Sequence, residues 1–224
     1  MRYGERTPES EWLDEGVAAE IASSASESGL SSSLDARCAE RALALGGCEG
    51  TVLDVGCGAG GASLQLLRRA PSLRVVAIDA SHAVIAIARA TARDAGLGDR
   101  IDFCRADAKR LPFRGGSFDL VLSDSLLRRL SAPLPMLNES ARVLRSGGAL
   151  YIRDLRRPPA ELLPLHAAWH GRAYRGAIRQ RFGAAVRSAY SEREISELVN
   201  RSTIRGAVIR REHGGFIAIE RPAR

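Results

Sequence analysis

Three aspartates stand at the ends of short, β-rich runs: Asp54 in TVLDVGCGAGG, Asp79 in RVVAID and Asp107 in IDFCRAD. Glycines 56, 58, 60 and 61 follow the first of them, and the spacing Gly56, Gly58, Gly61 satisfies GxGxxG. In dinucleotide-binding folds such glycines let the backbone approach a pyrophosphate at the head of the next helix. Asp54, two residues ahead of the loop, changes what the loop would accept. At partly screened contact distance a like charge costs roughly 4 kcal/mol and an opposite charge gains as much, so the loop favours a cation over a diphosphate.

Asp79 lies 21 residues after Gly58, where a carboxylate accepts hydrogen bonds from an unphosphorylated ribose. Asp107 closes the third strand along the same carboxyl edge, the edge at which doubly wound sheets bind their ligands. A ligand with an ammonium group, a ribose, an adenine amine and no phosphate satisfies all three acids. S-adenosylmethionine has those features.

The elements that must position these acids follow from periodicity. After residue 51, short apolar runs (TVLDV, RVVAID, IDFCRAD, SFDLVLSDS, GALYIRD) alternate with helical stretches (GASLQLLRRA, SHAVIAIARATARDAG, PLPMLNESARVL). Strands alternating with helices specify a parallel, doubly wound α/β sheet covered on both faces. Beyond Asp154 the regularity stops: Pro158, Pro159 and Pro164 punctuate the chain, one helix is expected over about 165–182, and Ser191 with Glu194 forms a capping box. RGAVIRRE and GFIAIERP, joined by HGG, read as a closing hairpin. Ahead of the sheet, TPESEWLDEGVAAEIA reads as a helix with Trp12, Leu13, Val17 and Ile21 on one stripe. The serine-rich SSASESGLSSS breaks it, and a second helix covers about 33–45. The chain therefore divides into an N-terminal helical arm or lid, 1–50, and an α/β sheet domain, 51–224.

Composition narrows the class. The chain has 224 residues, 45% hydrophobic and 26% charged, a soluble globular profile. No apolar run approaches the roughly 20 residues that span a bilayer, and MRYGERTPESEW is charged where a secretory signal is apolar, so cytoplasmic residence is expected. The four cysteines show no CxxC pair and read as reduced thiols. Residues 151–224 hold 15 basic and 7 acidic side chains against 18 and 19 in residues 1–150, so the net charge of +7 comes from the last third. With only one lysine, Lys109, among 33 basic residues, arginine use is uniform along the chain.

VLDVGCGAGGASLQLLRR, VVAIDAS, IDFCRADAKRLPFRGGSFDLVLSDSLL and ARVLRSGGALYIRD together resemble the successive motifs of class I S-adenosylmethionine-dependent methyltransferases, especially the small-molecule branch that includes quinone-biosynthesis enzymes. The resemblance covers residues 51–154. It implies a mostly parallel seven-stranded sheet, order 3-2-1-4-5-7-6 with strand 7 antiparallel, and S-adenosylmethionine as cofactor. It also implies that Asp54, Gly56 and Gly58, with Cys57 and Gly60 of the same loop, hold the methionine portion. Asp79 and Ala80 would hold the ribose, Asp107 and Ala108 would read adenine, and Ser123 would line the methionine end.

Relatives in that branch carry His-His-Leu after the fourth strand, where this chain has Arg128 and Arg129 in LLRRL; a base from that position is absent. Candidate acceptor-site residues come from the segment 156–190, where such enzymes build the acceptor pocket: His166, His170, Tyr174 and Tyr190, with Trp169 as an apolar wall. His166 and His170 share a helix face, but no third ligand accompanies them and no metal is expected. Arg37 is a candidate for the cofactor carboxylate. The expected activity is methyl transfer to a small molecule by direct in-line displacement. The alternatives are an RNA methyltransferase using the basic last third, and a non-catalytic S-adenosylmethionine-binding protein.

Overall fold

The computed structural model describes residues 6–7, 16, 20, 29–172 and 176–224. The expected first helix, with Trp12, Leu13, Val17 and Ile21, lies outside the described residues, as does Tyr174.

The strands are β1 (Gly50–Val55), β2 (Leu73–Asp79), β3 (Ile101–Arg105), β4 (Phe118–Asp124), β5 (Leu144–Leu155), β6 (Val208–Arg211) and β7 (Phe216–Arg221). They form one sheet in the order β3-β2-β1-β4-β5-β7-β6, with β7 antiparallel to both its neighbours. Side chains alternate along the strands, and both faces are apolar. Val52, Val75, Leu120, Leu122 and Tyr151 point to one layer, and Leu53, Val55, Ile78, Val121 and Ile152 to the other. That double burial is what a parallel sheet with crossover helices requires.

Helices α1 (Gly29–Gly46), α2 (Gly61–Arg69) and α3 (His82–Asp94) cover the first face. Helices α4 (Leu134–Val143) and α7 (Glu192–Arg201) cover the second. α5 (Leu163–Gly171) and α6 (Gly176–Ser188) follow β5. The capping box at Ser191 and Glu194 is formed at the head of α7.

Three sequence expectations need correction. The helix expected at about 33–45 starts earlier, at Gly29, and absorbs Ser31, Ser32 and Ser33. It buries Cys38, Ala39, Ala42 and Leu45 in the core, so this helix packs against the sheet. The single helix expected over 165–182 is two. Gly171, the last residue of α5, is buried against Phe182 of α6, where an added Cβ would lie 3.2 Å from the ring. The RSGG turn before the fifth strand is instead part of β5. It is absorbed by a register shift against β4 between Phe118 and Leu120, with Gly147 at φ +77°.

Candidate active site at the carboxyl edge of the sheet

The loop after β1 is bound to β2 before any ligand arrives. The amides of Gly56 and Cys57 both donate to the Ile78 carbonyl, at 2.8 and 2.9 Å, and Gly60 donates to Cys57 O at 2.9 Å. Gly56, Gly58 and Gly60 have φ of +75°, +54° and +83°, the left-handed region that a side chain disfavours. Nothing lies within 4 Å of a Cβ built on Gly58, so a ligand has room against that backbone. Gly60 caps α2 without a side-chain hydrogen bond.

Asp79 links the two loops at this edge. Its Oδ2 accepts from the Gly58 amide at 3.2 Å and its Oδ1 from the Ser81 amide at 3.0 Å. Burial raises its pKa, against those amides and the nearby Arg129 charge, which lower it. Ala80 lies beside it, half-buried. Asp54 is more extreme: it is buried, accepts from the Ser63 hydroxyl at 2.6 Å, and has its pKa raised to about 7 by burial, with the charges of Asp124 and Asp79 adding to the rise.

Two further acids join this cluster. Asp35, on α1, is raised to about 7 by burial and by Asp124 and Asp54, against the lowering effect of Arg153. Its carboxyl lies over Gly61 at the head of α2, where an added Cβ would overlap it. Asp124, at the end of β4, pairs with Arg153 of β5, whose Nε donates to Asp124 Oδ1 at 3.0 Å. Arg153 also donates to Leu34 O at 3.2 Å. Its guanidinium sits 4.8 Å from the Phe216 ring centroid. Asp124 thus acts on both Asp35 and Asp54, and Asp79 on Asp54, while the buried Arg153 guanidinium offsets the charge beside Asp35 and Asp124.

Backbone strain marks the same point. Ser125, just past β4, has φ +64° without being glycine. It is held by its amide on Arg153 O at 2.8 Å and by Arg128 Nη1 on its own carbonyl at 2.7 Å. Arg128 is committed to the fold: it is buried, and its Nη1 and amide donate to Asp154 at 2.7 and 2.8 Å. β1 and β4, where the strand order reverses, meet here, the switch point at which open α/β sheets take their ligands.

Residues 52–148 match a family described as a methyltransferase domain. The chain is 38% identical over 132 residues to a demethylmenaquinone methyltransferase of Thermus thermophilus, covering 58% of this chain and 59% of that one. It is 32% identical over 108 residues to the ubiquinone/menaquinone biosynthesis C-methyltransferase UbiE of Roseobacter denitrificans, covering 48% and 43%. The chain is thus similar, over about half of its length, to these methyltransferases. It spans about half the length of these curated relatives. A solved S-adenosylmethionine-dependent methyltransferase from Aquifex aeolicus superposes with a TM-score of 0.69 over 93% of this chain and 98% of that one, at 20% identity, a likeness of fold.

The other expected site residues are placed as follows. Asp107 and Ala108 are half-buried after β3, and Asp107 Oδ1 accepts from the Lys109 amide at 2.9 Å, so it shapes its own turn. Cys57 is buried with its thiol pKa pushed up by burial, which disfavours a thiolate. Ser123, expected to line the methionine end, is fully buried and donates to Val55 O at 2.8 Å, bolting β4 to β1 beneath the crevice. Arg37 is corrected: it lines a groove of about 640 Å³ with Arg41, Arg210 and Arg211, between α1 and β6.

Tyr190 is corrected too, since it is buried and its hydroxyl donates to Leu130 O at 3.0 Å. Trp169 is 57% exposed and stacked by Arg172 at 3.6 Å, so it is no pocket wall. His166 and His170 do share a face, with ring centroids 4.4 Å apart. His166 lies against Gly215, at the start of β7, three strands from β1, roughly 14 Å at ordinary strand spacing. Burial, then the charges of His170 and Arg156, lower the His166 pKa to about 4, which makes it a poor base at neutral pH. Among the described residues no group of three or more His, Cys, Asp or Glu is arranged to hold a metal.

Asp35, Asp124, Ser63 and Arg153 were missed by sequence reasoning. A signal existed for one of them: an arginine inside the apolar run ALYIRDL must be paired if that run is a buried strand.

Proposed function

We propose that this chain is an S-adenosylmethionine-dependent methyltransferase acting on a small-molecule acceptor by direct in-line displacement. The observation that carries this reading is the cluster of Asp35, Asp54, Asp79 and Asp124 around the open backbone of Gly58. It would repel a diphosphate and attract an ammonium or sulfonium. Gly56, Cys57, Gly58 and Gly60 would supply backbone to the methionine portion, Asp79 and Ala80 would hold the ribose, and Asp107 with Ala108 would face adenine. What the cofactor supplies when bound is an already activated methyl group.

The chain's own task is then alignment, which can lower a barrier by roughly 7–11 kcal/mol without any proton transfer. No general base is assigned: Arg128 is locked on Asp154 and His166 is a weak base. The relatives named for quinone biosynthesis make a reduced, hydroxylated aromatic ring the first acceptor to test.

Calorimetric titration with S-adenosylmethionine and S-adenosylhomocysteine tests the reading, followed by transfer of a labelled methyl to such rings. Binding of neither ligand by the wild-type chain refutes it.

A further inference from the structure

α5 is built inside out. Its exposed residues are Pro164, Leu165, Ala168 and Trp169, whereas His166 and His170 are half-buried and turned toward the fold. A helix on a water-facing surface normally shows the reverse arrangement. Leu162, one turn ahead, extends the ridge. With Leu165 at 66% and Trp169 at 57% exposure, this short segment holds three of the four exposed large hydrophobics among the described residues.

Apart from the exposed Glu161 beside Leu162, the charge around the ridge is positive. From residue 162 to residue 191 the sequence contains no Asp or Glu, and Arg172, Arg179, Arg181 and Arg187 are exposed on the stretch that follows α5. Arg172 lies on the Trp169 ring, so cation and aromatic are presented together. α6 is seated on the end of β5 through Phe182 and Val186 against Leu155 and Phe216, which puts this surface at the same rim of the sheet as the crevice.

We propose that the outer face of α5, with the flanking arginines, is a docking surface for a bilayer containing anionic lipid. Leucine and tryptophan side chains enter the headgroup boundary while arginines stay at the phosphates. One apolar and one cationic signal together give the reversible, surface-level binding expected of an interfacial helix. A nucleic acid would use the arginines but leave the apolar ridge in water. The proposal goes beyond methyl transfer and does not depend on it.

The full chain should co-sediment with phosphatidylcholine vesicles carrying about 30% phosphatidylglycerol and bind pure phosphatidylcholine vesicles roughly tenfold more weakly or worse. The double variant Leu165→Glu, Trp169→Glu should lose roughly tenfold or more of the anionic-vesicle binding. Its thermal unfolding and cofactor titration should match wild type, because both side chains are exposed. Wild-type protein left in the supernatant with anionic vesicles, or a double variant that binds them as well as wild type, would overturn the proposal. So would sedimentation velocity showing that the ridge instead drives self-association that the double variant loses. Vesicle binding that fails while the cofactor still binds leaves the transferase reading standing; the opposite result sinks that reading and not this one.

Discussion

Replacing Asp54 by asparagine should make the empty protein more stable and the loaded protein weaker. The Asp54 carboxyl titrates near pH 7 in the fold against an ordinary 3.8. Between those values the folded state holds a proton that the unfolded state has released, so stability falls as pH rises from about 4 to about 7 and then levels off. The gap corresponds to about 4 kcal/mol between the two protonation states. The substituted amide would carry no charge and keep an oxygen for the Ser63 hydroxyl, with about 1 kcal/mol conceded for a weaker hydrogen bond. Urea unfolding at pH 8 should therefore find Asp54→Asn more stable than wild type by about 2–3 kcal/mol, with the difference gone near pH 4. Calorimetry at pH 8 should find cofactor binding weakened, since the variant has lost the charge the ligand relieves. Near pH 7, wild type should release protons on binding, visible as a dependence of the heat on buffer ionisation. A variant less stable than wild type at pH 8, or the same pH slope in both proteins, would refute the electrostatic account.

Other perturbations separate the roles of neighbouring residues. Asp79→Ala should weaken cofactor binding roughly tenfold or more, because a charge-assisted hydrogen bond contributes about 1.5–3 kcal/mol, whereas Cys57→Ala should change it little; equal effects in a titration would contradict the assignment. Gly58→Ala should fold with a loss of about 1–2 kcal/mol, from its positive φ, yet bind cofactor poorly because the methyl would occupy the open space above the loop; unchanged affinity would move the ligand elsewhere. Asp124→Asn leaves the Arg153 guanidinium buried without its ionic partner and should cost about 3–5 kcal/mol in urea unfolding. Asp124→Asn combined with Arg153→Met should recover much of that loss, and a double variant as unstable as the single would show that the pair does not act as a unit.

Much of the fold was legible because both periodicities are strong: strand runs such as VVAID and FDLVL are apolar on both faces, and turns fall at glycines with positive φ. The positions of the glycine loop and of Asp79 were legible for the same reason, since both are set by backbone and by local spacing. What escaped depends on distant pairing. Asp35 reaches the site only because α1 packs on α2, and a polar helix face carries no mark of what lies opposite. Asp124 and Arg153 meet through the β4–β5 register, 29 residues apart. Ser123 looked like a site residue by position, but its hydroxyl serves the backbone of β1. The close approach of Gly171 on α5 to Phe182 on α6 is likewise a contact that helical periodicity does not encode.

The strand order has a consequence for how the sheet opens. Among the described residues β6 pairs only with β7, and β7 sits between it and β5. Any fluctuation that lifts β7 out therefore strips β6 of its sole ladder, while β3, β2, β1 and β4 keep theirs. Amide hydrogens of 208–211 should thus exchange with deuterium no more slowly than those that β7 donates to them, and the hairpin should behave as one cooperative opening unit at the sheet's margin.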